Sequence, residues 1–585
     1  MGLELQRSLD SPGNFVDLIL DRTARSPHKT AYTFLENGEA VSESVSYSQL
    51  QERVLALAAV LQQRCAPGDR VLLLYPQCVD YMVGFLACLC AGAIAVPLFP
   101  PRGTKHNLRL QAIARDCQPR LALISTKQLA TKHAAMEEQP ELATLPLLCG
   151  DSIDPQSAAD WRRPAVDAAT IAFLQYTSGS TGLPKGVMVS HGNLIHNERL
   201  MQACYGTDED STVVTWLPIY HDMGLIGNML AAFWLGSTCV FMAPVTFLQR
   251  PIRWLQAISD HRGVFSGAPN FAFDLCVEKI SAVQKQRLDL SSWKIAFSGA
   301  EPIRLDSLER FANAFATSGL SRSALWPSYG LAEATLMVSC CGGRDPVGRT
   351  YVDKDELTRR HAVATNRGNP QVLVSCGRTA MGQTIRIVNE VTSRLCAPGE
   401  IGEIWICGGS VAQGYWNRAA TNAETFMARI ESSTEGPFLR TGDLGFIDGG
   451  ELYITGRIKD VIIVRGANHY PQDIEQTIES ADRAVNPAGV AAFGVGDPDG
   501  ERVVAVVEVA RTSLRKVNVE ALVRAVRQSV VEAHDILLSD VVLIRPGNLP
   551  KSSSGKVQRR QCCSMYLANE LEPFAPRNAT MTETV

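Results

Sequence analysis

One segment of this 585-residue chain has the residue types to hold an anion. Tyr176-Thr-Ser-Gly-Ser-Thr-Gly-Leu-Pro-Lys-Gly-Val187 follows the apolar run Ile171-Ala-Phe-Leu174. A strand that enters a loop of glycines and small hydroxyl residues turns several backbone N–H groups toward one point. The Ser/Thr hydroxyls add further donors, and the result is a nest for an anion. The spacing Gly179-Ser-Thr-Gly-Leu-Pro-Lys185 is not G-x-x-x-x-G-K-[ST], so a P-loop NTPase is not supported. The bland alternative is a flexible surface loop. The sixteen cysteines offer no comparable chemistry: the close pairs Cys88/Cys90, Cys340/Cys341 and Cys562/Cys563 lack C-x-x-C spacing. They read as small buried hydrophobes of a reducing compartment, not as a disulfide framework.

The elements that must carry this loop alternate in type. Tyr47 to Arg64 has apolar residues three and four apart (Leu50, Val54, Leu57, Leu61), and Val71 to Tyr75 is a short continuous apolar run. Continuous apolar strands between helices point to a parallel sheet covered on both faces. The pattern recurs at Leu121–Ile124, Thr212–Leu217, Thr238–Met242 and Lys294–Phe297, which predicts α/β architecture with more than one sheet. From about Gln371 the texture becomes antiparallel, with alternation over Gln383–Val388 and Glu403–Cys407. After Tyr453–Val464, a helix over Gln472–Ala481, strands at Val490–Phe493 and Arg502–Val509 and a helix over Val519–His534 predict a compact α+β domain. Its boundary is expected between Gly456 and Asp460.

Composition narrows the class. The chain is 46% hydrophobic and 20% charged, which excludes a disordered chain, a collagen and a coiled coil. Lys+Arg 56 against Asp+Glu 60 leaves no basic excess for phosphate neutralisation, so nucleic acid is not expected as a partner. The opening MGLELQRSLD has no apolar h-region, and Gln6 sits where a myristoylation signal needs Ser or Thr. Tyr81 to Pro100 is long enough to span a bilayer, but Gly92 and Pro97 break it. It reads as a buried helix (Val79–Ala91) and a buried strand (Ala93–Phe99). A cytoplasmic protein without a membrane span is the expectation.

The loop resembles the phosphate-binding loop of the adenylate-forming superfamily: acyl-CoA synthetases, peptide-synthetase adenylation domains and luciferases. Further motifs follow in the superfamily's order. Trp216-Leu-Pro-Ile-Tyr-His-Asp-Met-Gly224 is similar to its substrate-side motif, Gly299-Ala-Glu-Pro302 to its adenine-side turn, and Tyr329-Gly-Leu-Ala-Glu333 to its nucleotide and magnesium motif. Tyr415-Trp416, Arg440-Thr-Gly-Asp443, Gly456-Arg-Ile-Lys-Asp460 and Ser554-Gly-Lys556 complete the set. The resemblance implies a large N-terminal domain (1–457) of two α/β subdomains plus a small β-barrel-like subdomain (about 371–456). A small mobile α+β C-terminal domain (458–585) would pivot near Lys459.

It also implies roles. Thr177, Ser178, Gly179, Ser180, Thr181 and Lys185 would hold the ATP phosphates. Glu333 would ligate Mg²⁺, which suits a carboxylate. Ser328, Tyr329, Gly330, Ala300 and Glu301 would line the adenine, with Tyr329 stacked on it. Asp443, acceptor-only, would take the ribose hydroxyls with Arg457 beside it. Lys556 would bridge the attacking carboxylate and the α-phosphate as a mobile point charge. His221 would flank the reacting carboxyl group and a thiol tunnel, the alternative being a satisfied core histidine. Arg559 and Arg560 suit a solvated basic face better than chemistry.

Within the superfamily, Phe173 to Thr181, Trp216 to Gly227, Val96-Pro-Leu-Phe-Pro-Pro101 and Gly466-Ala-Asn-His-Tyr-Pro-Gln-Asp-Ile-Glu475 resemble the fatty-acyl-AMP ligases. These pass acyl-adenylate to the phosphopantetheine of an acyl carrier protein rather than to coenzyme A. A charged segment over about 342–370 cannot build a core and must lie on the surface or at a domain junction. The family's insertion here is proposed to restrain domain rotation; a neutral loop is the alternative. Gly182-Leu-Pro-Lys185 departs from some members of this branch and keeps the general superfamily form. An acyl pocket is expected around Tyr220, Met223, Leu225, Ile226, Phe265, Gly267 and Asn270, without an Asp or Lys to greet an amino group. The expected reaction is fatty acid plus ATP to acyl-AMP and pyrophosphate, then transfer to a carrier protein in trans. A fatty acyl-CoA ligase and a non-catalytic acyl- or nucleotide-binding member are the rivals.

Overall fold

The computed structural model describes residues 12–100, 104–129, 140–177, 184–368, 370–464, 467–497, 500–551 and 555–574. Two mostly parallel sheets organise the larger part. The first runs in the order Leu147–Cys149, Leu121–Ile124, Arg70–Leu73, Ile94–Pro97, Ile171–Thr177, Lys185–Ser190. All its pairs are parallel except the last, which is a hairpin. Val71, Leu72 and Leu73 are fully buried, as expected for strands covered on both faces.

The second sheet has eight strands, with Val213–Thr215, Cys239–Met242, Phe265–Ala268 and Ile295–Ser298 at its parallel centre. Leu325–Gly330 extends it in parallel, and antiparallel pairs close both edges.

The apolar stretch that could have spanned a membrane is folded inside this part. The helix Val79–Ala91 buries every residue but Asp80. It ends because Gly92 adopts φ +73° and donates its N–H to the carbonyls of Cys88 and Leu89. A residue with a Cβ would cost about 1–2 kcal/mol in that conformation, so the glycine sets the stop. The chain then enters the strand Ile94–Pro97. Among the described residues no helix is long and apolar enough to cross a membrane, and the cysteines are free thiols.

Next comes an antiparallel four-stranded sheet, Thr384–Val388, Gly402–Cys407, Leu439–Asp448 and Glu451–Arg457. The charged segment before it is not wholly superficial. Its strand Arg349–Val352 pairs with Gln371–Val374, and Asp353 caps the short helix Lys354–Thr358. Val352 and Leu357 then bury against Phe446, Tyr453 and Tyr470. The segment also reaches the last part of the chain: Asn468 Nδ2 donates to the Thr358 carbonyl at 2.8 Å, and just past the segment Gln371 Nε2 donates to Asp473 Oδ1 at 3.3 Å.

The final part has cores of its own. Its sheet Val485–Asp497, Gly500–Val509, Leu538–Ile544 points Val503, Ala505 and Val507 at Ile474, Ile478, Val526 and Val530. Val504 and Val506 face Phe493, Ile544 and Cys562 on the other side. That alternation is the two-residue period of a strand buried on both faces.

Candidate active site

A cleft of about 2560 Å³ opens where these parts meet. The hairpin Ile171–Thr177/Lys185–Ser190 delivers its first wall by setting Thr177 opposite Lys185. Both residues line the cleft. Ser178, Gly179, Ser180 and Thr181 lie outside the described residues. The Lys185 ammonium stands 4.8 Å from the centroid of the Tyr415 ring, within cation–π range.

Beside it, the strand Leu325–Gly330 brings Ser328, Tyr329 and Gly330 to the cleft and breaks into a short turn, Ala332–Ala334, that presents Glu333. Gly330 is required there, because a Cβ would fall 2.0 Å from the Leu336 carbonyl oxygen. Glu333 Oε1 accepts from the Tyr415 hydroxyl at 2.8 Å. Burial, then the neighbouring Glu333, pushes the Tyr415 phenol well up, so it stays a donor. Among the described residues no three His, Cys, Asp or Glu side chains form a metal cage. One carboxylate with an oxygen to spare suits Mg²⁺, which keeps several waters and shares substrate phosphates.

The ribose-side residues come from the antiparallel sheet. Asp443 and Arg457 are directly opposite in register, and Arg457 Nε donates to Asp443 Oδ1 at 2.8 Å. The Tyr329 hydroxyl donates to Asp443 Oδ2 at 2.8 Å. The Asp443 charge raises the Arg457 pKa above its usual value. Ala300 turns with φ +73° and presents Glu301. Burial raises the Glu301 carboxyl, against the pull of Arg304, Lys556 and the backbone N–H groups of Phe271 and Asn270.

Lys556 arrives from the other side. Gly555, at φ +85°, lies so close to Phe271 that a Cβ would come within 3.0 Å of its ring, and this seats the loop against the opposite wall. Burial lowers the Lys556 ammonium pKa, while Asp222, Glu301 and Asp443 support its charge and Arg457 opposes it. His221 is no core histidine: it lines the cleft and its Nδ1 contacts Asp222 Oδ1 at 2.5 Å. Among the described residues the buried histidine is His191, which accepts from the Phe15 N–H and is held near pKa 4 by desolvation. Lys459 lines the cleft between Arg457 and the first strand of the last part. Burial, with Arg560, Lys185 and Arg457 nearby, lowers its pKa.

Of the expected acyl pocket, Tyr220, Met223 and Phe265 line the cleft, whereas Leu225, Ile226, Gly267 and Asn270 do not. The reason is local geometry. Leu225–Leu230 is a π-helical turn, which rotates Leu225 and Ile226 fully into the core and leaves Gly227 on the wall. Gly267 makes room for Phe297, whose carbonyl a Cβ would meet at 2.3 Å. Asn270 fastens the Glu301 loop, donating to the Pro302 carbonyl at 2.8 Å and accepting from the Arg304 N–H at 3.2 Å. Sequence reasoning missed Met201, Tyr205, Phe297 and Met337, which complete an apolar extension of the cleft. Met201 and Tyr205 are four apart on the helix His191–Tyr205, a spacing that could have found them. Arg559 is not solvated: it forms an ion pair with buried Glu475 at 2.6 Å.

Comparison with known proteins agrees with this geometry. Residues 20–416 match the family model described as AMP-binding enzyme, and 459–575 match the AMP domain of Disco-interacting protein 2-like proteins. The chain is 40% identical, over 96% of each sequence, to the medium-chain-fatty-acid–[acyl-carrier-protein] ligase JamA of Moorena producens. It is 39% identical to the long-chain-fatty-acid–AMP ligase FadD26 of Mycobacterium marinum, covering 94% of this chain and 96% of that one. The crystal structure of a fatty acyl-adenylate ligase from Legionella pneumophila, in complex with acyl adenylate and pyrophosphate, superposes with a TM-score of 0.75. That match has 36% identity and covers 97% of this chain and 98% of the other. With its nucleotide-side carboxylates, its lysines and its apolar extension gathered on one cleft, the chain belongs to the family of AMP-binding enzymes.

Proposed function

We propose that the protein joins a fatty acid to AMP and hands the acyl group to the phosphopantetheine thiol of an acyl carrier protein supplied in trans. The observation that carries this reading is the convergence of Lys185, Glu333, Asp443 and Lys556 on a cleft that continues into Met201, Tyr205, Phe265, Phe297 and Met337. The four polar residues suit a nucleotide, and the extension suits an alkyl chain that needs no charged partner. The names of JamA and FadD26 support the same substrate class.

The carboxylate and ATP repel each other, so the protein's task is neutralisation and alignment. Lys556 stands by the carboxylate oxygen that attacks the α-phosphorus. The oxygen–phosphorus bond forms, the bond to the bridging oxygen breaks, and its electron pair leaves with pyrophosphate. Thr177, Lys185 and the phosphate loop hold the departing phosphates. Asp443, fixed by Tyr329 and Arg457, accepts from the ribose hydroxyls, and Ala300 and Glu301 border the base. Glu333 would hold Mg²⁺, which supplies further charge neutralisation when bound.

After the domain beyond Lys459 turns, the carrier protein's thiol attacks the acyl carbonyl, the carbon–sulfur bond forms and the bond to the phosphate oxygen breaks, releasing AMP. The contact of the 342–370 segment with Asn468, through the Thr358 carbonyl, supports its restraint of that turn, and thereby the preference for a carrier protein over coenzyme A. The free thiols suit the reducing cytoplasm.

The test is a mass-spectrometric assay with ATP, Mg²⁺, dodecanoic acid and excess coenzyme A, repeated with a phosphopantetheinylated carrier protein. Acyl-AMP accumulating without acyl-CoA, and acyl-carrier protein forming in the second arm, is the expected outcome. Efficient acyl-CoA formation would replace this reading with the CoA-ligase one, and absence of any acyl-AMP would end both.

A further inference from the structure

Arg109 lies on the helix Thr104–Cys117 and is exposed along the cleft wall. Its Nη2 donates to the Tyr176 carbonyl at 3.1 Å, one residue before Thr177 and the phosphate loop. Among the described residues no carboxylate pairs with it. Asp116, seven residues along the same helix, is already committed: its Oδ2 accepts from the Tyr176 hydroxyl at 2.7 Å and its Oδ1 from Arg418 Nη2 at 2.6 Å. A guanidinium that meets no acid among the described residues, with one donor on a backbone carbonyl and four N–H groups left for a ligand, is suited to receive an anion. The fork matches phosphate oxygens in particular.

We propose that Arg109 is a phosphate ligand that, with Lys185 across the hairpin from Thr177, clamps the part of ATP that leaves as pyrophosphate. This rests on the adenylating reading above. As the bond from the α-phosphorus to the bridging oxygen breaks, charge builds on the pyrophosphate side, and Arg109 stabilises it there. The phosphodiester of a phosphopantetheine arm carries the same chemistry and enters the same cleft, so the two sources must be separated.

Inorganic pyrophosphate with Mg²⁺ is the probe, titrated calorimetrically into the full-length protein. Arg109→Gln keeps an amide N–H for the Tyr176 carbonyl but removes the charge, and Arg109→Lys keeps the charge but loses the fork. The Gln variant is expected to weaken pyrophosphate binding by about ten- to a hundredfold, with the Lys variant between it and the wild type and thermal unfolding unchanged. KM for ATP should rise while KM for the fatty acid stays in place. Wild-type pyrophosphate affinity in Arg109→Gln overturns the proposal. If KM for the carrier protein rises instead, the anion is the phosphopantetheine phosphate and the pyrophosphate assignment is wrong. Because direct pyrophosphate binding needs no fatty acid, failure of the substrate reading would leave this result standing.

Discussion

Lys556 is the residue whose role separates most cleanly from the rest of the site. It alone of the four convergent polar residues comes from the last part of the chain, and the carboxylates of Asp222, Glu301 and Asp443 support its charge. Lys556→Ala should depress acyl-AMP formation by about a hundred- to a thousandfold, the scale of losing one aligned electrostatic group. Transfer from preformed acyl-AMP to carrier protein should survive, and a stopped assay of the two half-reactions reads both. Equal loss of both would contradict the assignment. That Lys185, Glu333, Asp443 and Lys556 would meet on one cleft was legible through the resemblance of their motifs, since each sits in a short run of fixed order and all four line the cleft. Asn270 shows the limit: its type fits a pocket, but its side chain is consumed in bracing the Pro302–Arg304 loop, and only coordinates reveal that competition.

At the scale of elements, the strand-turn that presents Glu333 depends on a backbone approach no side chain could share. Gly330→Ala should destabilise the fold by about 1–3 kcal/mol, the cost of forcing atoms into a packed site. It should also raise KM for ATP, because Glu333 moves with the turn. Chemical denaturation and steady-state kinetics on one preparation would check both. Elements with a clear period were read closely: the helices Val79–Ala91 and Val519–His534 and the strand Leu121–Ile124 stand where their apolar spacing put them. The π-turn at Leu225–Leu230 was not readable, since six residues, apolar or glycine but for Asn228, are too few for a period to distinguish 3.6 from a wider turn. Nor was the buried pair Val352 and Leu357, two apolar residues hidden among charges.

For the molecule as a whole, the seam between the two parts is titratable. Burial raises Asp473 to about 7, with Lys354, Arg559 and Arg304 opposing and Glu475 adding to the rise. A carboxyl raised by folding contributes fully below its ordinary value near 3.8, and that contribution is lost as pH climbs through about 7. Asp473→Asn should therefore flatten the pH dependence of the first thermal unfolding transition and raise its midpoint above about pH 7. An unchanged profile would mean that the seam does not govern that transition. The separate cores on either side of the seam carry one more consequence. The two walls of the cleft are drawn from parts with largely separate cores, joined by the cluster around Tyr470 and the Arg304–Glu479 ion pair. A small molecule gripping Asp443 on one wall and Lys556 on the other would act as a staple, arresting the enzyme by holding it shut without resembling any single substrate.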